Sequence, residues 1–151
     1  MNKAFLREPD DNGQRHCPRC GSLGVPVTEA VLSRHLLAEA RRELGANGFF
    51  CPFPRCEVVY FDLFERVVLV AGLASPVWPK DPDAPICACF GLTADDIEAD
   101  LTDGRPTRVR ALLEKSKGPQ AQCSIAAASG QCCVAEVQRY YMRRLQERRS
   151  Q

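Results

Sequence analysis

Two groups of cysteines, nine residues in a chain of 151, constrain this sequence more than any other feature. The first group is Cys17-x2-Cys20 with Cys51-x4-Cys56. The second is Cys87-x-Cys89 with Cys123 and the adjacent pair Cys132-Cys133. Eight thiolates fill two four-coordinate sites and leave one over. The first spacing is that of a structural zinc site, in which two near pairs close around one tetrahedral ion. The second suits a binuclear iron–sulfur cluster, where each iron takes two cysteine sulfurs. A second zinc site could use the same residues.

Disulfides are the competing use of so much cysteine. The N-terminal stretch MNKAFLREPDDNGQRH is polar and has no apolar run of the kind that directs secretion. A cytoplasmic chain keeps its thiols reduced, and an odd count with an adjacent pair fits a disulfide framework poorly. No run approaches the roughly 18 apolar residues of a membrane span. At 45% hydrophobic the chain can build a core, but two small halves would each be marginal without a metal. A net charge of +1, with no basic stripe interleaved with aromatics, argues against a nucleic-acid partner. Charge is uneven: 95–103 is acidic, and 139–149 carries Arg139, Arg143, Arg144, Arg148 and Arg149. The simplest reading of that tail is a solvated helix face. The sharper one is a docking patch for an acidic partner.

The chain reads as an α+β fold. Residues 1–14 are expected to form an arm outside it. A zinc-knuckle or zinc-ribbon-like subdomain is expected over 14–74, with one helix and a β-hairpin. Thr28 can cap that helix, which periodicity runs to about Leu44, with Gly45 as its stop. Strands are expected over 57–61 and 65–71, following Phe49-Phe50, with a turn over 62–64. Four prolines in SPVWPKDPDAP mark a linker over 75–86, with Trp78 a plug between the halves. A small helical domain follows over 87–149. Thr93 and Asp96 form a capping-box start for a helix to about Leu101. Thr107 can cap a second helix to about Lys117, and Gly118-Pro119 ends it. An irregular stretch, 121–131, carries Cys123. A last helix starts near Cys132 or Cys133, with Val134, Val137, Tyr141 and Leu145 on one face.

Four thiolates on Zn²⁺ leave no position for water, so the first site is structural and not catalytic. His16 is a competing ligand, though a lone histidine there is more simply a solvent group. His35, the other histidine, reads as a surface or boundary residue. The sequence has no G-x-S-x-G, H-E-x-x-H or P-loop pattern. Asp95, Asp96 and Glu98 read as a helix N-terminus complementing its dipole. No catalytic residue is assigned; at most a bound cluster would supply a metal-ion reductase activity.

Specific motifs add to the spacing. Cys87-Ala-Cys89-Phe90-Gly91-Leu92-Thr93, with a helix pair and a late cysteine-bearing loop, resembles the bacterioferritin-associated ferredoxin-like 2Fe–2S domain. Across 14–147 the chain resembles the N-terminal region of CopZ-type copper chaperones that carry zinc and 2Fe–2S. That likeness rests on Cys17-Pro-x-Cys20-Gly21, on Phe50-Cys51-Pro-x-Pro-x-Cys56-x-Val58-Val59-Tyr60-Phe61, on Cys87-x-Cys89-Phe90-Gly91 and on Ser129-Gly130-Gln131-Cys132-Cys133. It implies Zn²⁺ on Cys17, Cys20, Cys51 and Cys56. It implies a 2Fe–2S cluster on Cys87, Cys89, Cys123 and one of Cys132 or Cys133, with Cys133 preferred. Either would sit near a helix N-terminus, where the dipole favours thiolate.

The implied function is cytoplasmic one-electron transfer in copper or other heavy-metal handling, with a redox partner protein or a copper-carrying domain as partner. Relatives of this kind carry a copper loop M-x-C-x-x-C, which is not found here; Met142 is followed by arginines. The implied role is therefore accessory to, or a fragment of, a copper chaperone. Two alternatives stand beside it. One is an iron–sulfur-switched sensor or interaction module that docks through the helix near Arg143-Arg144. The other is a two-zinc nucleic-acid-binding module.

Overall fold

Residues 58–62, Val-Val-Tyr-Phe-Asp, are buried without exception and form the central strand of the fold. The computed structural model describes residues 14–118 and 123–150, so all but the last residue of the expected N-terminal arm lies outside them. Four strands run antiparallel in chain order: β1 (Val25–Val27), β2 (Gly48–Phe50), β3 (Val58–Asp62) and β4 (Val67–Leu69). A strand covered on both faces is apolar along its length, and β3 is so from Val58 to Phe61, with only its last residue, Asp62, charged. Val59, Tyr60, Phe50 and Val68 join one core with Val31 and Leu32. Phe49, Val58 and Phe61 join another with Cys17, Cys51 and Cys56. A register shift between Val58 and Tyr60 breaks the usual alternation and puts the consecutive Val59 and Tyr60 in one core.

The β-hairpin expected from the sequence is thus half of a four-stranded sheet. The third pairing, β1 with β2, rests on three residues around Pro26, which an edge strand tolerates because it needs no donor on its outer side. The single helix expected to Leu44 is two: α1 (Glu29–His35) and α2 (Ala38–Arg42). Thr28 caps the first as anticipated. The helix stops because Leu36 turns extended and bridges Leu73. The Leu37 N–H donates to Gly72 O, and the Ala74 N–H to His35 O, both at 2.9 Å. Strand-type bonds to 72–74 replace the helical ones that periodicity alone would continue.

The proline-rich stretch splits two neighbours between two cores. Val77 is buried with the sheet residues, while Trp78 packs edge-on against Tyr140, 5.7 Å between ring centres. Helices α3 (Ala94–Asp103), α4 (Thr107–Ser116), α5 (Cys123–Ala126) and α6 (Val134–Arg149) complete the fold. The Thr93–Asp96 capping box forms in both directions. Thr107, however, lies inside α4 rather than capping it. Buried Asp100 caps α4 from the neighbouring helix, accepting from the N–H groups of Arg108 (3.1 Å) and Val109 (2.9 Å).

Glu98 likewise does more than complement a helix dipole: it pairs with Arg144 and Arg148 and ties α3 to α6. Arg139 pairs with Glu136, and Arg144 also with Glu147, so the basic tail is largely an ion-paired helix face. Among the described residues no helix is long and apolar enough to cross a membrane. The sheet and the last helices meet through α1, α5 and the residues just after it, where Tyr60 Oη donates to Ala128 O (2.6 Å) and His35 Nε2 to Ile125 O of α5 (3.1 Å).

Candidate metal centres

Two tight turns bring the first four sulfurs together. In the first, the Cys17 N–H donates to Ser22 O (2.8 Å) and the Gly21 N–H to Cys17 O (2.9 Å). Gly21 has φ +78°, a conformation that costs a residue without a Cβ little. The second turn leaves the sheet where β2 and β3 part: the Cys51 N–H bonds Val59 O (2.8 Å), and the Cys56 N–H bonds Phe53 O (3.2 Å). The sulfurs of Cys17, Cys20, Cys51 and Cys56 then lie within 4.8 Å of one another. Sulfurs pair across the turns, Cys17 with Cys56 at 3.9 Å and Cys20 with Cys51 at 3.5 Å. Four sulfurs about 2.3 Å from one tetrahedral ion stand about 3.8 Å apart, so the spacing fits Zn²⁺. His16 sits outside the group, in a bridge to Leu23.

Three of these cysteines are buried and Cys20 is exposed. Burial pushes the Cys20 thiol up, but hydrogen bonds with Ser22, Cys51 and Cys17 outweigh it and bring it down to about 6. Burial pushes Cys51 up to about 12 and raises Cys56 as well. A bound Zn²⁺ removes this asymmetry, because its charge holds every coordinated thiol as thiolate. Lys80, which sequence reading passed over, reaches back from the proline-rich stretch to donate to Phe53 O (2.6 Å) and Cys56 O (3.0 Å). It closes the second turn and places an ammonium beside a four-thiolate site.

The second group begins with the same backbone turn. The Cys87 N–H donates to Leu92 O (3.1 Å), the Gly91 N–H to Cys87 O (2.8 Å), and Gly91 has φ +74°. Cysteine and glycine are thus four residues apart in both Cys17-to-Gly21 and Cys87-to-Gly91, a signal present in the sequence from the start. The Cys87 thiol is held at about 6 by a hydrogen bond with Cys133, against burial, with help from the amides of Phe90 and Cys89 and the Cys89 thiol. Cys87, Cys89 and Cys133 share one core cluster, but among the described residues only the first group places its sulfurs all within 4.8 Å of one another. Cys123 opens α5, and its side chain lies outside the described residues. Cys133 is buried immediately before α6, whereas Cys132 is exposed, and both line a cleft of about 820 Å³ between the halves. No disulfide joins any of the eight cysteines whose side chains are described.

Comparison with known proteins bears on the first group. Residues 14–73, which hold the four-sulfur group, match the zf_CopZ family, described as a zinc binding domain. The copper chaperone CopZ of Archaeoglobus fulgidus is 28% identical over 127 residues, which are 82% of this chain and 60% of that protein. The chain therefore spans about three-fifths of the length of that relative. The X-ray structure of the A. fulgidus CopZ N-terminal domain aligns with a TM-score of 0.69 at 26% identity, covering 83% of this chain and 96% of that one. The chain is thus similar to a CopZ-type N-terminal region, and its four-thiol group falls within the stretch that matches the zinc-binding domain.

Proposed function

We propose that this chain is a cytoplasmic metal-handling protein of copper homeostasis. Cys17, Cys20, Cys51 and Cys56 hold structural Zn²⁺. Cys87, Cys89, Cys123 and Cys133 hold a 2Fe–2S cluster that serves one-electron exchange with a copper-carrying or redox partner. When bound, such a cluster takes up and gives up a single electron, and Cu(I), the reduced ion, is the form soft thiolates bind best.

The observation that carries the second site is the contact of Cys87 with both Cys89 and Cys133 on a turn built like that of the zinc knuckle. The donor set fits the group, because all its members are thiols and the amides of Phe90 and Cys89 aim at the Cys87 sulfur. Amide donors stabilise thiolate and, on a bound cluster, set its potential. Burial separates the adjacent pair: Cys133 is buried against Cys87, and Cys132 is exposed. The copper role rests on similarity to a protein named a copper chaperone. The alternative of docking through the basic helix loses support, because Arg144 and Arg148 are held by Glu98.

Anaerobic purification followed by zinc, iron and acid-labile sulfide analysis tests the reading. One zinc, two irons and two sulfides per chain are expected, with an electron-spin-resonance signal of a 2Fe–2S centre after dithionite. Zinc without iron or sulfide would overturn the cluster.

A further inference from the structure

Tyr60 and His35 belong to the zinc-bearing half, yet each makes its hydrogen bond to the backbone of the other half. Tyr60 is fully buried on β3 between Val59 and Phe61, and burial pushes its phenol well above the ordinary tyrosine range. It therefore stays protonated, and a buried hydroxyl needs an acceptor. Its Oη lies 2.6 Å from Ala128 O. His35 ends α1 half-buried, and its Nε2 lies 3.1 Å from Ile125 O. A carbonyl only accepts, so Nε2 carries the proton. The two acceptors lie three residues apart on the segment that runs from Cys123 to Cys133. Within that segment α5 packs on α1 and Ala128 packs against the sheet core, and beyond them the Gly130 N–H to Ala127 O (2.9 Å) and the Gln131 N–H to Ser129 Oγ (3.3 Å) close a local turn.

We infer that Tyr60 and His35 are positioning residues for the second metal centre, seating the loop that carries Cys123 and Cys133 through hydrogen bonds to Ala128 and Ile125. This rests on the 2Fe–2S reading. A cluster ligand on a loop is only as fixed as the loop, and a neighbouring sheet residue that cannot move lends it rigidity. Tyr60 qualifies because its ring is packed between Phe50 and the α1 core, so its hydroxyl has no other place to go. Two small halves thereby share one scaffold: the zinc knuckles hold β2 and β3, and β3 holds the cluster loop.

The test uses the full chain, loaded with zinc and reconstituted with iron and sulfide, in wild type and in Tyr60→Phe, His35→Leu and His35→Gln. Tyr60→Phe keeps the ring in its core and removes only the donor. His35→Gln restores an N–H donor that His35→Leu lacks. Zinc content reports the first site. Amide exchange over 125–131, the visible circular dichroism of the cluster, its midpoint potential and its loss to an iron chelator report the second. In Tyr60→Phe and His35→Leu, exchange and cluster loss should each rise about five- to tenfold, the worth of one net hydrogen bond. The dichroism and potential should shift at unchanged zinc, and His35→Gln should return towards wild type.

Unchanged exchange, spectrum and loss rate in Tyr60→Phe and His35→Leu would overturn the inference. Loss of zinc together with cluster would also overturn it, because the residues would then be general supports of the fold. A wild type that takes up no iron and sulfide would instead overturn the cluster assignment, and is read before any variant is made.

Discussion

Asp62 offers the sharpest test of how the zinc-bearing half is held. It ends β3 as a residue 2% exposed, and both side-chain oxygens are fully used. Oδ1 accepts from the N–H groups of Phe64 (2.9 Å) and Arg66 (3.0 Å); Oδ2 accepts from the Gly45 N–H (3.2 Å) and Arg66 Nε (2.7 Å). One carboxylate thus closes the β3–β4 turn and pins the chain after α2 to the sheet. Burial raises its pKa, but the three amides and Arg66 outweigh burial and bring it below the ordinary carboxylate value.

In Asp62→Ala each backbone donor loses a charged acceptor. These donors lie at the rim, where water replaces part of the bond, so about 1 kcal/mol each is the appropriate scale. The Arg66 pair adds less than that, because the guanidinium is 49% exposed and screened. The expected loss is about 3 kcal/mol, or roughly 10 °C in melting temperature. Asp62→Asn keeps one oxygen for Phe64 and Arg66 but turns an NH₂ towards Gly45 and Arg66 Nε, so about 2 kcal/mol is expected. Thermal unfolding of the zinc-loaded protein, followed by circular dichroism and by zinc release to a chromophoric chelator, measures both. An Asp62→Asn protein that melts within about 1 °C of wild type would refute the reasoning, because no rearrangement satisfies four donors with one amide oxygen.

Three further outcomes follow from single contacts. Lys80→Met should speed zinc transfer to a chelator several-fold with little change in secondary structure, because the second knuckle loses its clasp on Phe53 O and Cys56 O; stopped-flow chelation measures it. Asp100→Ala should cost about 3 kcal/mol in urea unfolding, since a fully buried carboxylate then no longer caps α4 or pairs with Arg108. Glu98→Gln should cost about 1 kcal/mol at neutral pH. The Arg144 hydrogen bond, then that of Arg148, lowers the Glu98 pKa against burial. That stability is full above the ordinary glutamate value of about 4.3 and is lost as pH falls through the lowered one, so urea midpoints of variant and wild type should converge in acid.

What the sequence disclosed, and what it withheld, divides by range. The near cysteine pairs, the Thr28 cap and the Thr93–Asp96 box are local patterns, and each is visible within a few residues. The break of the first helix is not, because Leu36 and Leu37 keep helical periodicity while their backbone is claimed by 72–74, far along the chain. β1 is three residues with a proline in the middle, too short for any pattern to announce. Asp100 reads as one more acid in an acidic run, and only the packing of α3 on α4 makes it a cap. Tyr60 reads as another aromatic in a buried strand. Its hydroxyl gains meaning only when Ala128 arrives across the fold.

Zinc in one half and a redox-active centre in the other is a physically sensible pairing when the halves share a loop. Neither half has a large core: the sheet side divides its apolar residues between two clusters, and the helical side centres on Ile97, Leu112 and Val137. Units of this size hold together poorly on apolar burial alone, so a metal that closes a knuckle contributes a substantial part of the folding free energy. An ion chosen only for affinity could be iron or copper as well, but each of those changes charge and preferred geometry when it gains or loses an electron. Zn²⁺ has one accessible oxidation state and imposes no geometry through its d electrons. A seat built on it, reaching through β3 and Tyr60 to the backbone at Ala128, would keep its shape while charge came and went at the cluster proposed for Cys87 and Cys133.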